Sequence, residues 1–311
     1  MTAEDRYIKK DIKVYINIAG AFLLLIPALL FSEVLREGVI YGIRLSAFGV
    51  LPSIFPFFII ADALGSMSFG TRGIFSRIFE KIFSISGEGA RAFIIGNVCG
   101  FPLGVKLSSE LYESGVISKK EAERLIGISN NPSLAYVISG VGVGIIGSLK
   151  AGVSLYISIV ISTALVGLVF RRARVKNSNL ALNSRQRFDF VQSVKSAGLS
   201  SLSVCSYIIF FSAITNLLRF IVGDGLVGTV LTSILEVSGG VSFVSHSEIL
   251  SDVFLLPCLS FILGFSGFSV HMQARSVASN NLSFKKYYVM KVLEGLISSS
   301  IVIPVYILLG R

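Results

Sequence analysis

The sequence predicts an all-α polytopic membrane protein of about six transmembrane helices and two re-entrant helical hairpins, arranged as an inverted-topology repeat. Three observations predict it. Hydrophobic residues make up 53% of the 311 residues and charged residues only 15%, well below the roughly 25% charged of an ordinary soluble domain. Several runs of low charge approach the ~20 residues that a helix needs to cross hydrocarbon. The second half also carries matches to the first in the same order, the mark of an internal repeat.

The first run, Val14–Phe31, follows "MTAEDRYIKKDIK" and has no small-x-small cleavage site after it, so residues 1–38 are expected to be a retained signal anchor. The first repeat is expected over 39–150. It begins with a crossing at 39–64 and continues with "GIFSRIFEKIFSI", whose Ile74, Phe75, Ile78, Phe79, Ile82 and Phe83 recur at helical spacing as in an interfacial helix. Residues 91–107 then dip in and return as a re-entrant hairpin. "SKKEAERL" (118–125) reads as a solvated cytoplasmic helix capped by Ser118, with Glu121 three residues on. Residues 125–148 cross outward.

The run 151–170 returns to the basic linker "RRARVKNSNLALNSRQR" (171–187), which closes a linking unit over 151–187. The second repeat, 188–311, comprises a crossing at 196–222, a hairpin at 254–275 and a final crossing at 287–309. Its correspondence to the first rests on several pairs. Ser46, Ala47, Ile59 and Ala63 stand opposite Ser196, Ala197, Ile209 and Ala213, with Phe57 opposite Tyr207. "FSISGEG" from Phe83 matches "LEVSGGV" from Leu235, and Gly100–Phe101 falls over Gly267–Phe268.

Loop charge sets the orientation. Arg72, Arg77, Lys81 and Arg91 outnumber Glu80 and Glu88 in 65–91, whereas 223–252 carries Asp224, Glu236, Glu248 and Asp252 without Lys or Arg. The positive-inside rule places the first segment in the cytoplasm, its counterpart outside, and both termini in the cytoplasm. Non-helical backbone at membrane depth must be buried in protein or line a watery cavity, so the Gly- and Pro-broken segments mark the candidate binding site.

Gly100, Phe101, Pro102, Gly104 and Lys106 lie at the first break; Ser266, Gly267, Ser269, His271, Gln273 and Arg275 lie at the second; Asn130 and Asn131 open the crossing between them. Helix N-termini at the two turns present free N–H groups suited to an anion. Each residue also has a plainer reading. Lys106 can snorkel to the interface, Arg275 can anchor a helix end, His271 can be packed core, and Asn130-Asn131-Pro132 can be a helix start. No acidic residue stands out at mid-membrane, which leaves proton or sodium coupling and passive diffusion open.

Other chemistry is poorly supported. The net charge of +10 comes from basic residues beside apolar runs, which argues for topology and a lipid bilayer rather than nucleic acid. Cys99, Cys205 and Cys258 lack metal-ligand spacing. "GFPLGVKLS" departs from a phosphate loop at Val105 and Leu107, and around the histidines, His246 and His271, no H-E-x-x-H forms. The reading is of a non-enzyme without cofactor or metal.

At "GFPLGVKLSSEL…GVISKKEAERLIGISNN" the chain resembles the nucleoside-recognition (Gate) domain group of membrane proteins and, within it, the YlbJ-type sporulation integral membrane proteins. The likeness rests on Gly100-Phe101-Pro102, Gly104, Lys106, Gly115, Ile117, Glu121-Ala122, Arg124-Leu125 and Asn130-Asn131, with "LEVSGG" (235–240) and "GFSGFSVHMQ" (264–273). The chain departs from the pattern at Pro132-Ser133, where Ser-Pro is expected, and at Phe265-Ser266, where an aromatic precedes glycine.

The resemblance implies a cell-membrane transporter, in the mother-cell-derived forespore membrane, for a small anionic metabolite during sporulation, with dipicolinate as cargo and Lys106 and Arg275 neutralising its carboxylates. A nucleoside or another carboxylate remains an alternative. So does a non-transporting scaffold, and either a homo-oligomer or sporulation membrane partners are compatible with the sequence.

Overall fold

A computed structural model describes residues 25–26, 28–66, 74–171, 188–246 and 252–310. The expected signal anchor lies largely outside the described residues, and so does the basic linker. Among the described residues every regular element is helical. Helix α1 (Ser32–Arg44) runs through a π-helical stretch, Leu45–Val50, into α2 (Leu51–Ser66). The pair bends by 49° between Val50 and Ile54, where Pro52 stands, since proline removes a ladder donor and crowds the preceding turn.

The elements α3 (Ile74–Phe83), α4 (Gly87–Cys99), α5 (Leu103–Glu113) and α6 (Lys119–Ile128) follow, then α7, the π-helical Tyr136–Ile145, and α8 (Leu149–Val169). The second half comprises α9 (Phe190–Val222), α10 (Leu226–Leu235), α11 (Val237–Ser245), α12 (Asp252–Phe265), α13 (Gly267–Val277) and α14 (Lys285–Leu308).

Among the described residues four stretches are long and apolar enough to cross a membrane: Leu149–Val169, Phe190–Val222, Phe254–Val277 and Lys285–Leu308. The bent α1–α2 pair makes a fifth if it is one span. Both halves hold a short helix (the amphipathic α3 or the apolar α10), then a capped helix (α4 or α11), and further on a glycine-marked break and a helix opening with two lysines (Lys119-Lys120 or Lys285-Lys286), but in the second half α12 stands between the capped helix and the break.

The two breaks differ. At the first, α4 and α5 fold back on one another around Gly100, whose φ is +91°. A Cβ on Gly96 would stand 2.7 Å from the Gly104 Cα, so the arms touch through their glycines. At the second, Ser266 (φ 74°) and Gly267 (φ 64°) interrupt the helix without reversing it, and α12–α13 form one 24-residue stretch of spanning length. The expected hairpin at 254–275 is therefore a broken span. Two adjacent left-handed residues offset the axis, whereas Gly100–Pro102 turns it back.

A second correction concerns α6. Ser118 caps it as expected, its hydroxyl accepting from the Glu121 N–H at 3.3 Å. The helix is nevertheless buried along Glu121, Ala122 and Arg124–Ile128 rather than solvated. Glu121 Oε1 accepts from both the N–H and the hydroxyl of Ser86 at 2.7 Å, and Ser86 caps α4. A carboxylate at that N-terminus satisfies orphan donors and suits the helix dipole. In the second half Glu236 does the same for α11 from its own N-cap position.

Among the described residues three apolar clusters fill the interior. One joins α4–α6 to the start of α14 (Phe93, Leu125, Tyr287, Met290). Another joins α7, α8, α11 and α12 to the end of α14 (Val141, Leu155, Leu263, Val302). A third packs α2, α4 and α5 on α9 (Phe58, Ile95, Leu103, Val204). Phe101, at the first break, packs on the cluster containing Leu263 and Val270 from either side of the second, so one apolar cluster borders both interruptions.

The break after α6 lies in the groove of the hairpin. Cβ atoms on Gly96 and Gly104 would fall 2.2 and 2.0 Å from the Ser129 carbonyl oxygen, and one on Gly100 would fall 2.6 Å from the Ser133 nitrogen. Gly104→Ala is expected to destabilise by about 1–3 kcal/mol, as overpacking against fixed backbone does. Gly198→Ala, in α9 with nothing within 4 Å of the new methyl, is expected to be neutral or to stabilise by up to about 1 kcal/mol. Thermal unfolding of the two variants in detergent distinguishes these outcomes.

Candidate functional site

Helix α14 buries one stripe comprising Tyr287, Met290, Lys291, Glu294, Gly295, Ser298 and Val302. These positions recur at intervals of three and four, the spacing that puts side chains on one helical face. Aliphatic residues elsewhere on the helix, such as Val289, Val292 and Leu296, face outward. Charge on the inner face and apolar residues on the outer one is the arrangement of a membrane helix that keeps its polar groups inside a bundle.

Lys291 has no exposed surface and gives its three ammonium protons to three acceptors. They are the Asn130 carbonyl oxygen at 2.9 Å, Asn131 Oδ1 at 2.7 Å and Glu294 Oε2 at 2.9 Å. Glu294, equally buried, accepts from Thr163 Oγ1 of α8 at 2.6 Å. Asn131 Nδ2 in turn donates to Asn97 Oδ1 at 2.7 Å and to Thr163 Oγ1 at 2.9 Å. Asn97 Nδ2 donates to the carbonyls of Phe93 and Ile128.

The segment Ser129–Ser133 is thus held by the hairpin on one side and by α8 and α14 on the other. The Asn130 carbonyl, released from a helical ladder at this break, is a Lys291 acceptor. The chain break and the buried charge satisfy one another, as an apolar interior demands.

The network continues to α13. Asn130 Nδ2 donates to Tyr287 Oη at 2.8 Å, and Tyr287 Oη lies 3.0 Å from His271 Nδ1. Assigning the protons so that each is used makes Tyr287 the donor to Nδ1 and leaves Nε2 of His271 as the N–H nitrogen. The ring sits edge-on among Phe265, Phe268, Tyr287 and Tyr288. His271 Nε2, Asn130 Oδ1 and Gln273 Oε1 are buried without a hydrogen-bond partner. The arrangement therefore combines a fixed cation, a buried carboxylate and unused hydrogen-bonding capacity.

The remaining sequence-predicted residues are placed as follows. Gly100, Pro102 and Gly104 shape the hairpin rather than face the ammonium, and Phe101 packs in the apolar cluster beside it. Ser266 Oγ bonds the Leu263 carbonyl, Gly267 packs near Ile234 and Val237, and Ser269 Oγ accepts from Gln273 Nε2. Lys106 lies elsewhere. It donates to Ser196 Oγ at 2.9 Å and pairs with Asp62 at 3.5 Å, between α2, α5 and α9. Arg275 is exposed, bonds the Leu282 carbonyl at 3.1 Å and lies 5.0 Å from the Phe284 ring centre. The two cations share no partner.

Of the residues that the sequence offered as one site, the structure links Asn130, Asn131 and His271 into the Lys291 network, whereas sequence reasoning missed Asn97, Thr163, Tyr287, Lys291 and Glu294. The structure also supplies the buried acidic residue that the pattern did not reveal, because Glu294 lies inside a run read only as a crossing. The available signal was "KVLE", a Lys and a Glu three residues apart in an otherwise apolar stretch. Among the described residues no three His, Cys, Asp or Glu side chains group as a metal ion would need.

Removing one partner of a buried ion pair costs about 3–5 kcal/mol, because the other charge is left uncompensated. Lys291→Met and Glu294→Leu are each expected to lose about that much. The double variant should lose less than the sum of the singles by about 1–3 kcal/mol, as coupled neighbours do. A double-mutant cycle by reversible SDS titration measures the coupling.

No protein-family model matches the chain, and no solved structure matches it. It is similar to the sporulation integral membrane protein YlbJ of Bacillus subtilis (strain 168), at 27% identity over 296 residues, covering 79% of this chain and 71% of the relative. The helices long and apolar enough to cross a membrane among the described residues agree with this likeness to a protein described as an integral membrane protein.

Proposed function

We propose that the chain is a membrane transporter or facilitator for a small anionic metabolite, which binds at the cluster around Lys291. One observation carries this reading. A lysine with no exposed surface is bonded to the backbone of a chain break and to a buried carboxylate, between helices of membrane-spanning length. A cation near the bilayer centre costs ~2.5–3.5 kcal/mol on insertion scales, and such residues mark substrate or ion paths. Broken helices at corresponding places in two halves mark the same paths.

Lys291 supplies the charge for a carboxylate, and the Nε2–H of His271 supplies a directional donor beside it. The aromatic rings around His271 suit a flat cargo. Dipicolinate, a planar aromatic dicarboxylate, is the cargo implied by the YlbJ-type likeness read in the sequence, and its chemistry suits these groups. Nucleosides and other carboxylates are the alternatives from the wider Gate-like resemblance. In this reading the two halves are inverted copies that rock about the breaks, the termini are cytoplasmic and the membrane is that of the forespore.

Detergent-purified protein is expected to gain thermal stability saturably with dipicolinate, since a ligand that binds only the folded state raises its melting temperature. Proteoliposomes should take dipicolinate up. Lys291→Gln and His271→Ala are expected to lower uptake by at least about tenfold, which corresponds to about 1.4 kcal/mol, whereas Lys106→Met should retain most of it. Folded protein that neither binds nor moves dipicolinate, nucleosides or other dicarboxylates would instead be a scaffold.

A further inference from the structure

We propose that Glu294 is a proton-carrying residue: it takes a proton from water as Lys291 passes from its carboxylate to a carboxylate of the cargo, so that one proton moves with each anion. The inference rests on the transporter reading and deepens it by naming the coupling ion. Its basis is the way the pair is held. Only one of the three Lys291 hydrogen bonds goes to Glu294; the other two go to the Asn130 carbonyl and Asn131 Oδ1. The ammonium therefore keeps its place when the carboxylate lets go.

Glu294, by contrast, is held by two donors, Lys291 Nζ and Thr163 Oγ1, on different oxygens. A carboxyl protonated on Oε2 keeps the Thr163 bond on Oε1 and gives up only Lys291. Charge balance favours this exchange. The resting pair sums to zero, and an ammonium, a neutral acid and the one carboxylate that takes the place of Glu294 also sum to zero; the second carboxylate of a dicarboxylate cargo adds one negative charge whether or not Glu294 is protonated. Binding the anion without the proton would leave one further negative charge in a fully buried place, which a low-dielectric surrounding opposes. The O–H bond formed on Glu294 is matched by one broken in a hydronium ion of the water on the side open to the cargo, which is left as water, and no other covalent bond changes.

Few other groups compete for the proton. Lys291 and Tyr287 face Glu294 from its own helix, and His271 of α13 is linked through Tyr287. Helix α8 offers Thr163 nearby, while its Lys150 lies 4.0 Å from the Tyr306 ring centre, toward the other end of α14. From α12, Ser260 and Phe261 approach the same face at Ser298 and Gly295. On α6, Glu121 and Arg124 bond the Ser86 and Ser84 region and Glu123 bonds the Ser283 N–H. The break before α7 carries asparagines and serines and no titratable side chain.

Infrared difference spectra of the full chain in detergent, recorded between mildly alkaline and mildly acidic buffer, test the residue directly. A buried carboxylic-acid band should appear on acidification and be missing in Glu294→Gln. Because that variant can also unfold, Thr163→Val provides a second reading: loss of the hydroxyl should shift the band without abolishing it. Calorimetric titration with dipicolinate in buffers of different ionisation enthalpy should show uptake of about one proton per anion at mildly alkaline pH, absent in Glu294→Gln. No Glu294-dependent band, or undiminished proton uptake in Glu294→Gln, overturns the proposal. A Glu294-dependent band with no binding of dipicolinate, nucleosides or other dicarboxylates supports the proton site and sinks the transporter reading alone.

Discussion

A lysine ammonium without exposed surface must find three acceptors inside the protein, and the way Lys291 finds them sets the positions of the surrounding elements. Two of its acceptors belong to Asn130 and Asn131, and the third is on its own helix. To reach them, the chain after α6 must leave the helix, since a helical carbonyl at Asn130 would already be engaged. The extended segment then needs its own partners, which Asn97 of α4 and Thr163 of α8 provide. An interior of low dielectric makes each of these bonds stronger and each omission more costly.

Close backbone contact follows from the same constraint. The Ser129 carbonyl can sit between the hairpin arms only because Gly96 and Gly104 lack a Cβ. The hairpin, the break after α6 and the stripe of α14 are consequently one unit. Around it the chain behaves as an ordinary membrane bundle. Helices pack closely through glycines, as where Gly38 and Gly42 of α1 meet the backbone of Ala213 and Ile209 of α9.

The carboxylates at the two capped helices show how similar local needs are met differently in the two halves. Helix α4 borrows Glu121 from α6, while α11 uses Glu236 beside its own first turn. Both solutions bury an acidic group against orphan N–H donors. Glu121 therefore looks solvated in the sequence, within the charged stretch "SKKEAERL", yet is 3% exposed in the fold.

By itself the sequence determined that the protein is helical and lives in a bilayer, where α6 starts, and that the chain turns at Gly100–Pro102. These depend on composition, capping residues and proline and glycine, whose preferences act within a few residues. It also singled out Asn130, Asn131, His271 and Gln273 as polar residues out of place among apolar ones. Only the tertiary structure decided that Lys106 pairs with Asp62 while Lys291 meets the asparagines, and that the second break continues a span instead of reversing it. Those outcomes depend on which faces meet across more than a hundred residues of chain, as Lys291 and Asn131 do across 160, and no local preference encodes such a meeting.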